Sequence, residues 1–205
     1  MLMTQFSKVN FMSRGRNLLP ILLVISLSAV AQQPSSLDRN NGAPQVVDKN
    51  LHEKAKELVD LMGVRQRMQD NLDKSLQEGK ENVQRQHPGW DPAFSEEWLK
   101  RMRARTNIDD YVDVVIRVYE KHFNTEEIEA LIVAQRDLNE SKAPSLAPAL
   151  KGKLSAMAVT LQSEIMGGCT EVGAKLGGEI GKEISAEHPE WVKVPKPTEQ
   201  PKTGK

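Results

Sequence analysis

The chain has 205 residues, with 28 Lys and Arg against 28 Asp and Glu, 4 His, one Cys and 4% aromatic residues. That balance gives no electrostatic footprint for nucleic acid or anionic lipid. A single thiol excludes an internal disulfide framework, so the fold must stand on an apolar core, and the length suits one domain or one domain with tails.

Taken in order, Lys8, Arg14 and Arg16 precede an apolar run at 18–30, which ends in the small-x-small sequence Ala29-Val30-Ala31. Basic, then apolar, then small is the order of a secretory signal peptide, here 1–31, cleaved before Gln32. The run contains Pro20, Ser26 and Ser28 and falls short of the roughly 20 residues needed to span a bilayer. A retained anchor is the alternative; no stable membrane span is expected after cleavage. No Cys follows the cleavage site, so the signal is not of the lipoprotein kind. Losing Lys8, Arg14 and Arg16 leaves 25 basic against 28 acidic side chains, a mildly acidic exported protein, periplasmic or secreted.

Residues 32–47 carry Pro34, Asn40, Asn41, Gly42 and Pro44 without apolar periodicity and read as a flexible leader. Asp48 suits a helix N-cap. Leu51, Ala55, Leu58, Val59 and Met62 then make a helical stripe that Gly63 ends from a left-handed conformation. A second helix carries Val64, Met68, Leu72, Leu76 and Val83 on one side, with Gly79 as a soft point inside it. His87-Pro88-Gly89-Trp90-Asp91-Pro92 is a break, and Asp91 and Pro92 open the next helix as cap and first residue. That helix carries Phe94, Trp98, Leu99 and Met102, and a basic face of Lys100, Arg101, Arg103 and Arg105. The face reads as solvated dipole compensation; a patch for an acidic partner is the alternative.

Segment 107–138 reads as an αα-hairpin with a specified corner. Ile108, Tyr111, Val112, Val115, Ile116, Tyr119 and Phe123 form one stripe. At the corner, Asn124 and Glu127 fit a capping box, and Phe123 and Ile128 a hydrophobic staple. Leu131 and Ile132 continue the second helix's apolar face. After a loop at 139–148 comes the longest pattern, about 149–187, with a bend or break expected at Gly167-Gly168. Its stripe is Leu150, Leu154, Ala158, Leu161, Ile165, Cys169, Val172, Leu176, Ile180 and Ile184. Beside it run Cys169, Gly173, Gly177, Gly181 and Ser185, a groove of small residues suited to close helix approach. The occupant is expected to be another helix of the same chain; a homodimer through Gly173, Gly177 and Gly181 is the alternative. His188-Pro189-Glu190-Trp191 echoes His87-Pro88-Gly89-Trp90, with the Trp able to fold back, and 188–205 is expected to be a disordered tail rich in Pro and Lys.

The segment from Tyr119 through Phe123-Asn124-Thr125-Glu126-Glu127-Ile128-Glu129-Ala130-Leu131-Ile132 resembles the core motif of a bacterial exported family, domain-of-unknown-function family 2059, over about 105–165. The resemblance implies a small, exported helical protein, and it implies no catalytic residues, because no reaction is assigned to the family.

Chemistry-bearing motifs are sparse. The chain has no Gly-x-Ser-x-Gly elbow, phosphate loop, His-Glu-x-x-His helix or Cys-x-x-Cys pair. His52, His87, His122 and His188 fall in different segments. The corner at Asn124 breaks the helix between His122 and Glu126, which have metal-ligand spacing. Asp109, Asp110 and Asp113 sit where they oppose a helix dipole, and Cys169 on an apolar stripe reads as an inert thiol. No catalytic, cofactor-binding or metal-binding residue is therefore assigned.

The expected architecture is an all-α compact bundle of five to six amphipathic helices over 48–187. The expected function is an exported, non-catalytic helical module that binds a protein partner or a small apolar ligand in the cell envelope. The alternative is a cell-envelope hydrolase whose acidic site is assembled by the fold, which clustering of His122 or Cys169 with several carboxylates would favour.

Overall fold

A computed structural model describes residues 49–192. The signal, the leader, the Asp48 cap and residues 193–205 lie outside the described residues. Six α-helices follow one another, with no strand among the described residues: α1 (Lys49–Leu61), α2 (Val64–Gln86), α3 (Pro92–Arg105), α4 (Ile108–His122), α5 (Thr125–Asn139) and α6 (Pro148–Glu187). This is the all-α class, with six helices, that the periodicities predict. The described residues sort into two compact units, 49–65 with 112–165 and 66–111 with 166–192.

In the first unit, which we call the hairpin unit, α1 packs along α5. Gly63 at φ 64° ends α1 in the left-handed region, where the absence of a Cβ removes the steric penalty. The corner between α4 and α5 is built as its sequence dictates. The Glu127 amide donates to Asn124 Oδ1 at 2.8 Å, and the Asn124 amide donates to Glu127 Oε2 at 3.0 Å. Phe123 and Ile128 on either side of the cap are both buried. The same Glu127 carboxylate takes both oxygens' worth of bonds from Lys153 Nζ at 2.8 and 2.7 Å, and that ammonium lies 4.9 Å from the Phe123 ring centroid. The corner is thus fastened to α6 by a charge-assisted bond and a cation–π contact.

The second unit, the tryptophan unit, holds all three Trp residues, at 90, 98 and 191. Phe94, Trp98, Leu99 and Met102 of α3 form a buried cluster with Leu76 and Val83 of α2 and Ile180 and Ile184 of α6. Trp98 is its pivot. Its Nε1–H donates to the Gly177 carbonyl at 3.1 Å. A Cβ on Gly79 would stand 3.0 Å from Trp98 Cη2, and one on Gly177 3.2 Å from Cζ2. Gly79 is therefore the seat of an indole and not the soft point expected from helix propensity. Any side chain there would displace the ring that fills the space between α2 and α6.

Of two further expectations, a same-chain occupant of the glycine groove is observed and the break at Gly167-Gly168 is corrected. The groove at Gly173, Gly177 and Gly181 is buried and already occupied: Trp98 lies on Gly177, and the Tyr111 hydroxyl stands 3.4 Å from a Cβ placed at Gly173. The same-chain occupant is the one observed, covering Gly173 and Gly177. Helix α6 runs without interruption through Gly167-Gly168. The loss of helix propensity at these two positions is not enough to break a helix that packed side chains hold on both sides.

Candidate functional site

The two His-Pro-x-Trp sequences close their helices in the same way. The His87 amide donates to Val83 O at 3.0 Å and the Trp90 amide to His87 O at 3.0 Å; the His188 amide donates to Ile184 O at 2.8 Å and the Trp191 amide to His188 O at 3.0 Å. Pro in second position has no N–H to continue the helix. The turn that follows lays each indole flat on its imidazole, with ring centroids 3.8 Å apart for His87 and Trp90 and 3.7 Å for His188 and Trp191, both inclined by 9°. The two corners also meet. The Asp91 amide donates to the Trp191 carbonyl at 2.8 Å, and Trp191 and Val192 pack on the cluster around Trp98. Residues 188–192 are therefore a folded part of the tryptophan unit, contrary to a tail beginning at 188.

Beside the first corner lies a half-open cavity of about 150 Å³. Val83, Pro88, Trp90, Pro92 and Phe94 supply apolar walls, and Gln84, His87, Asp91 and Ser95 the polar groups. Each wall has a local cause. Pro88 stops α2, Asp91 Oδ1 accepts the Ala93 amide at 2.8 Å to cap α3, and Pro92 occupies its first turn. Phe94 presents its ring at 62° to Trp90 with centroids 4.6 Å apart. Ser95, buried at 2% exposure, donates its hydroxyl proton to Pro92 O at 2.9 Å and accepts from Gln84 Nε2 at 2.8 Å. Burial pushes the His87 imidazole below its ordinary value, so it is neutral at pH 7. Volume limits what can enter: small-molecule sites usually run from about 300 to 1,000 Å³, so this cavity holds one ring or one apolar side chain.

The basic face of α3 is solvated, as expected, with Lys100, Arg103 and Arg105 exposed, and its charges are paired with carboxylates. Arg101 donates to both carboxylate oxygens of Glu187, at 3.0 and 2.6 Å, and to Glu97 at 2.9 Å. Arg105 grips both oxygens of Glu183 at 2.8 and 2.7 Å, Arg103 donates to Asp73 at 2.9 Å, and Lys100 donates to Glu97 at 3.1 Å. The i,i+4 spacing of Glu179, Glu183 and Glu187 on α6 is the signal that could have announced this ladder. The guanidinium of Arg101 holds the Glu187 and Glu97 carboxyls below the usual range.

The histidines and the thiol are dispersed in the same manner. His122 Nε2 lies 2.9 Å from Glu164 Oε2, while Lys121 donates to Glu164 Oε1 at 2.8 Å; first Lys121 and then His122 hold that carboxyl low. His52 Nδ1 lies 2.6 Å from Glu120 Oε1, pinning α1 to α4. His188 pairs with Glu190 at 3.2 Å. Cys169 is 1% exposed, and burial pushes its thiol up to about 11. Tyr111, with its hydroxyl raised to about 12 by burial and then by Cys169, lies in the same unit. Among the described residues no three His, Cys, Asp or Glu side chains gather as a metal set, and no helix is long and apolar enough to cross a membrane. His122 thus meets one carboxylate, in a cross-helix pair. The cavity beside the first His-Pro-x-Trp corner was not foreseen. In the sequence His87 to Pro92 read as a break and helix start and Val83 and Phe94 as stripe residues, because the cavity appears only when α3 folds back on α2.

Comparison of the chain with protein-family models, with curated proteins and with solved structures returns no match.

Proposed function

We propose that this chain is an exported, non-catalytic helical module of the bacterial cell envelope, related to the family it resembles over 105–165. It binds a protein partner or a small apolar ligand, and the binding place is the corner cavity of the tryptophan unit. One observation carries the reading: the cavity at 83–95 combines five apolar walls with a few fixed polar groups, the composition of a recognition pocket. The conspicuous charged side chains of both units support it from the other side, since they are spent on bonds between helices. Export is supported by the basic, apolar and small order of 1–31.

The test is photocrosslinking inside a bacterial cell. A benzophenone amino acid replaces Gly89, exposed between the cavity residues Pro88 and Trp90 but not in the lining, or Val159 on α6, which is 79% exposed. Exported protein beginning at Gln32 and a discrete adduct from position 89 alone support the reading. Adducts equal at both positions, or a chain retained inside the cell with residues 1–31 intact, contradict it.

A further inference from the structure

The cavity's walls restrict its ligand more than volume does. Two proline rings and the Trp90–Phe94 pair are held in place before anything binds, by the Asp91 cap, the Pro92 first turn and the bond from the Asp91 amide to Trp191 O. Preformed aromatic and proline walls favour a flat, rigid group over a flexible chain. A cavity of this size accommodates about one six-membered ring. The charge at its lining has one sign. Asp91 is the single acidic side chain there, burial lowers the pKa of His87 and so favours its neutral form, and Gln84 and Ser95 carry no charge. No Lys or Arg lines the cavity. An anionic ligand would face the Asp91 carboxylate with no cation to offset it, while a cation would gain from that carboxylate and from the rings.

We propose that the group this cavity takes is a single ring of benzyl size, uncharged or cationic, and that the same ring bearing a carboxylate is rejected. This rests on the binding reading above and narrows it to a chemical class.

Three probes share a ring and differ in charge: benzyl alcohol, benzylamine and benzoate, titrated at pH 7.5 into the full-length chain carrying ¹⁵N-labelled indoles. The Trp90 Nε1–H signal should move with the alcohol and the amine, while that of Trp98, held on Gly177 O, should stay. Benzoate should bind about tenfold more weakly than benzylamine or worse, a difference the size of one partly screened charge contact. Asp91→Asn keeps an N-cap of equal quality and should narrow that ratio to about threefold or less. Gln84→Phe, on an exposed helix position, should abolish the Trp90 shift, while Gln84→Ala, which loses the same bond to Ser95 but leaves the cavity open, should keep it. Equal binding of all three probes would overturn the ligand class and leave the cavity standing as a site. No movement of Trp90 with any probe, or binding unchanged in Gln84→Phe, would overturn both the class and the cavity.

Discussion

Gly177→Ala should destabilise the tryptophan unit, although helix propensity argues the reverse. In an open helix the change from Gly to Ala is worth about 1 kcal/mol of stabilisation. Here the new methyl would meet Trp98 Cζ2 at 3.2 Å. The indole cannot retreat, because on its other side a Cβ at Gly79 would already be 3.0 Å away and its Nε1–H is tied to Gly177 O. Overpacking of this kind costs about 1–3 kcal/mol, so the net effect is a loss of about 1 kcal/mol. Trp98→Ala alone removes a fully engaged indole and should cost about 3–5 kcal/mol. In that background the methyl at 177 has room, and Gly177→Ala should stabilise by about 1 kcal/mol. The sign therefore inverts between backgrounds, with a coupling of about 2 kcal/mol in the double-mutant cycle. Urea unfolding followed by Trp fluorescence reads this unit alone, since Trp90 and Trp191 remain as reporters in it. Stabilisation by Gly177→Ala in both backgrounds would refute the idea that an indole is clamped between the two glycines.

Other outcomes follow from the same coordinates. Glu187 and Glu97 are held low by Arg101, so their folded-state pKa values lie below the unfolded ones. The stability they add is complete above the unfolded carboxylate value of about 4.3 and is lost as pH falls through the depressed values. Arg101→Met should lower the melting temperature at pH 7, and the gap to wild type should close below about pH 4; a gap unchanged down to pH 2 would contradict the pairing. Asn124→Ala removes the side-chain half of the capping box, leaving the amide of residue 124 still able to donate to Glu127, and should cost about 1 kcal/mol in a thermal melt, whereas Asn124→Ser should be nearly neutral. Cys169, buried with its thiol at about 11, should resist a disulfide reagent at pH 8 and react only as fast as the tryptophan unit opens. Immediate reaction of the native protein would place the thiol at the surface.

What was legible in the sequence was local. The box at Asn124 and Glu127, the stop at Gly63 and the start at Asp91 and Pro92 each involve residues within four positions, where dihedral preference and one hydrogen bond decide the outcome. The apolar stripes of α3, α4 and α5 were legible for the same reason, and their members are buried except Ile108 at the start of α4, which is half-buried. Contacts that depend on which helices meet were not. Gly79 looked like a weak point because nothing near it in the chain indicates an indole 19 residues ahead. The exposure of the basic face of α3 was legible, but its pairing was not, because the partners of Arg101 and Arg105 lie about 80 residues on, in α6. The two His-Pro-x-Trp corners were visible as an echo, yet that Asp91 of one bonds to Trp191 of the other follows only from the packing of α3 against both helices. The cavity belongs to this second kind, being the space left where a capped helix returns along the one before it.

The decisive measurement is amide hydrogen exchange on the exported chain, compared between the purified state and an extract of its native envelope. Residues 83–95 should gain protection in the extract, and a Gln84→Phe chain should lose that gain while keeping the protection of α3 and α6. Protection gained instead on 100–105 or on the outer face of α6, or no gain anywhere in the chain, would contradict the account.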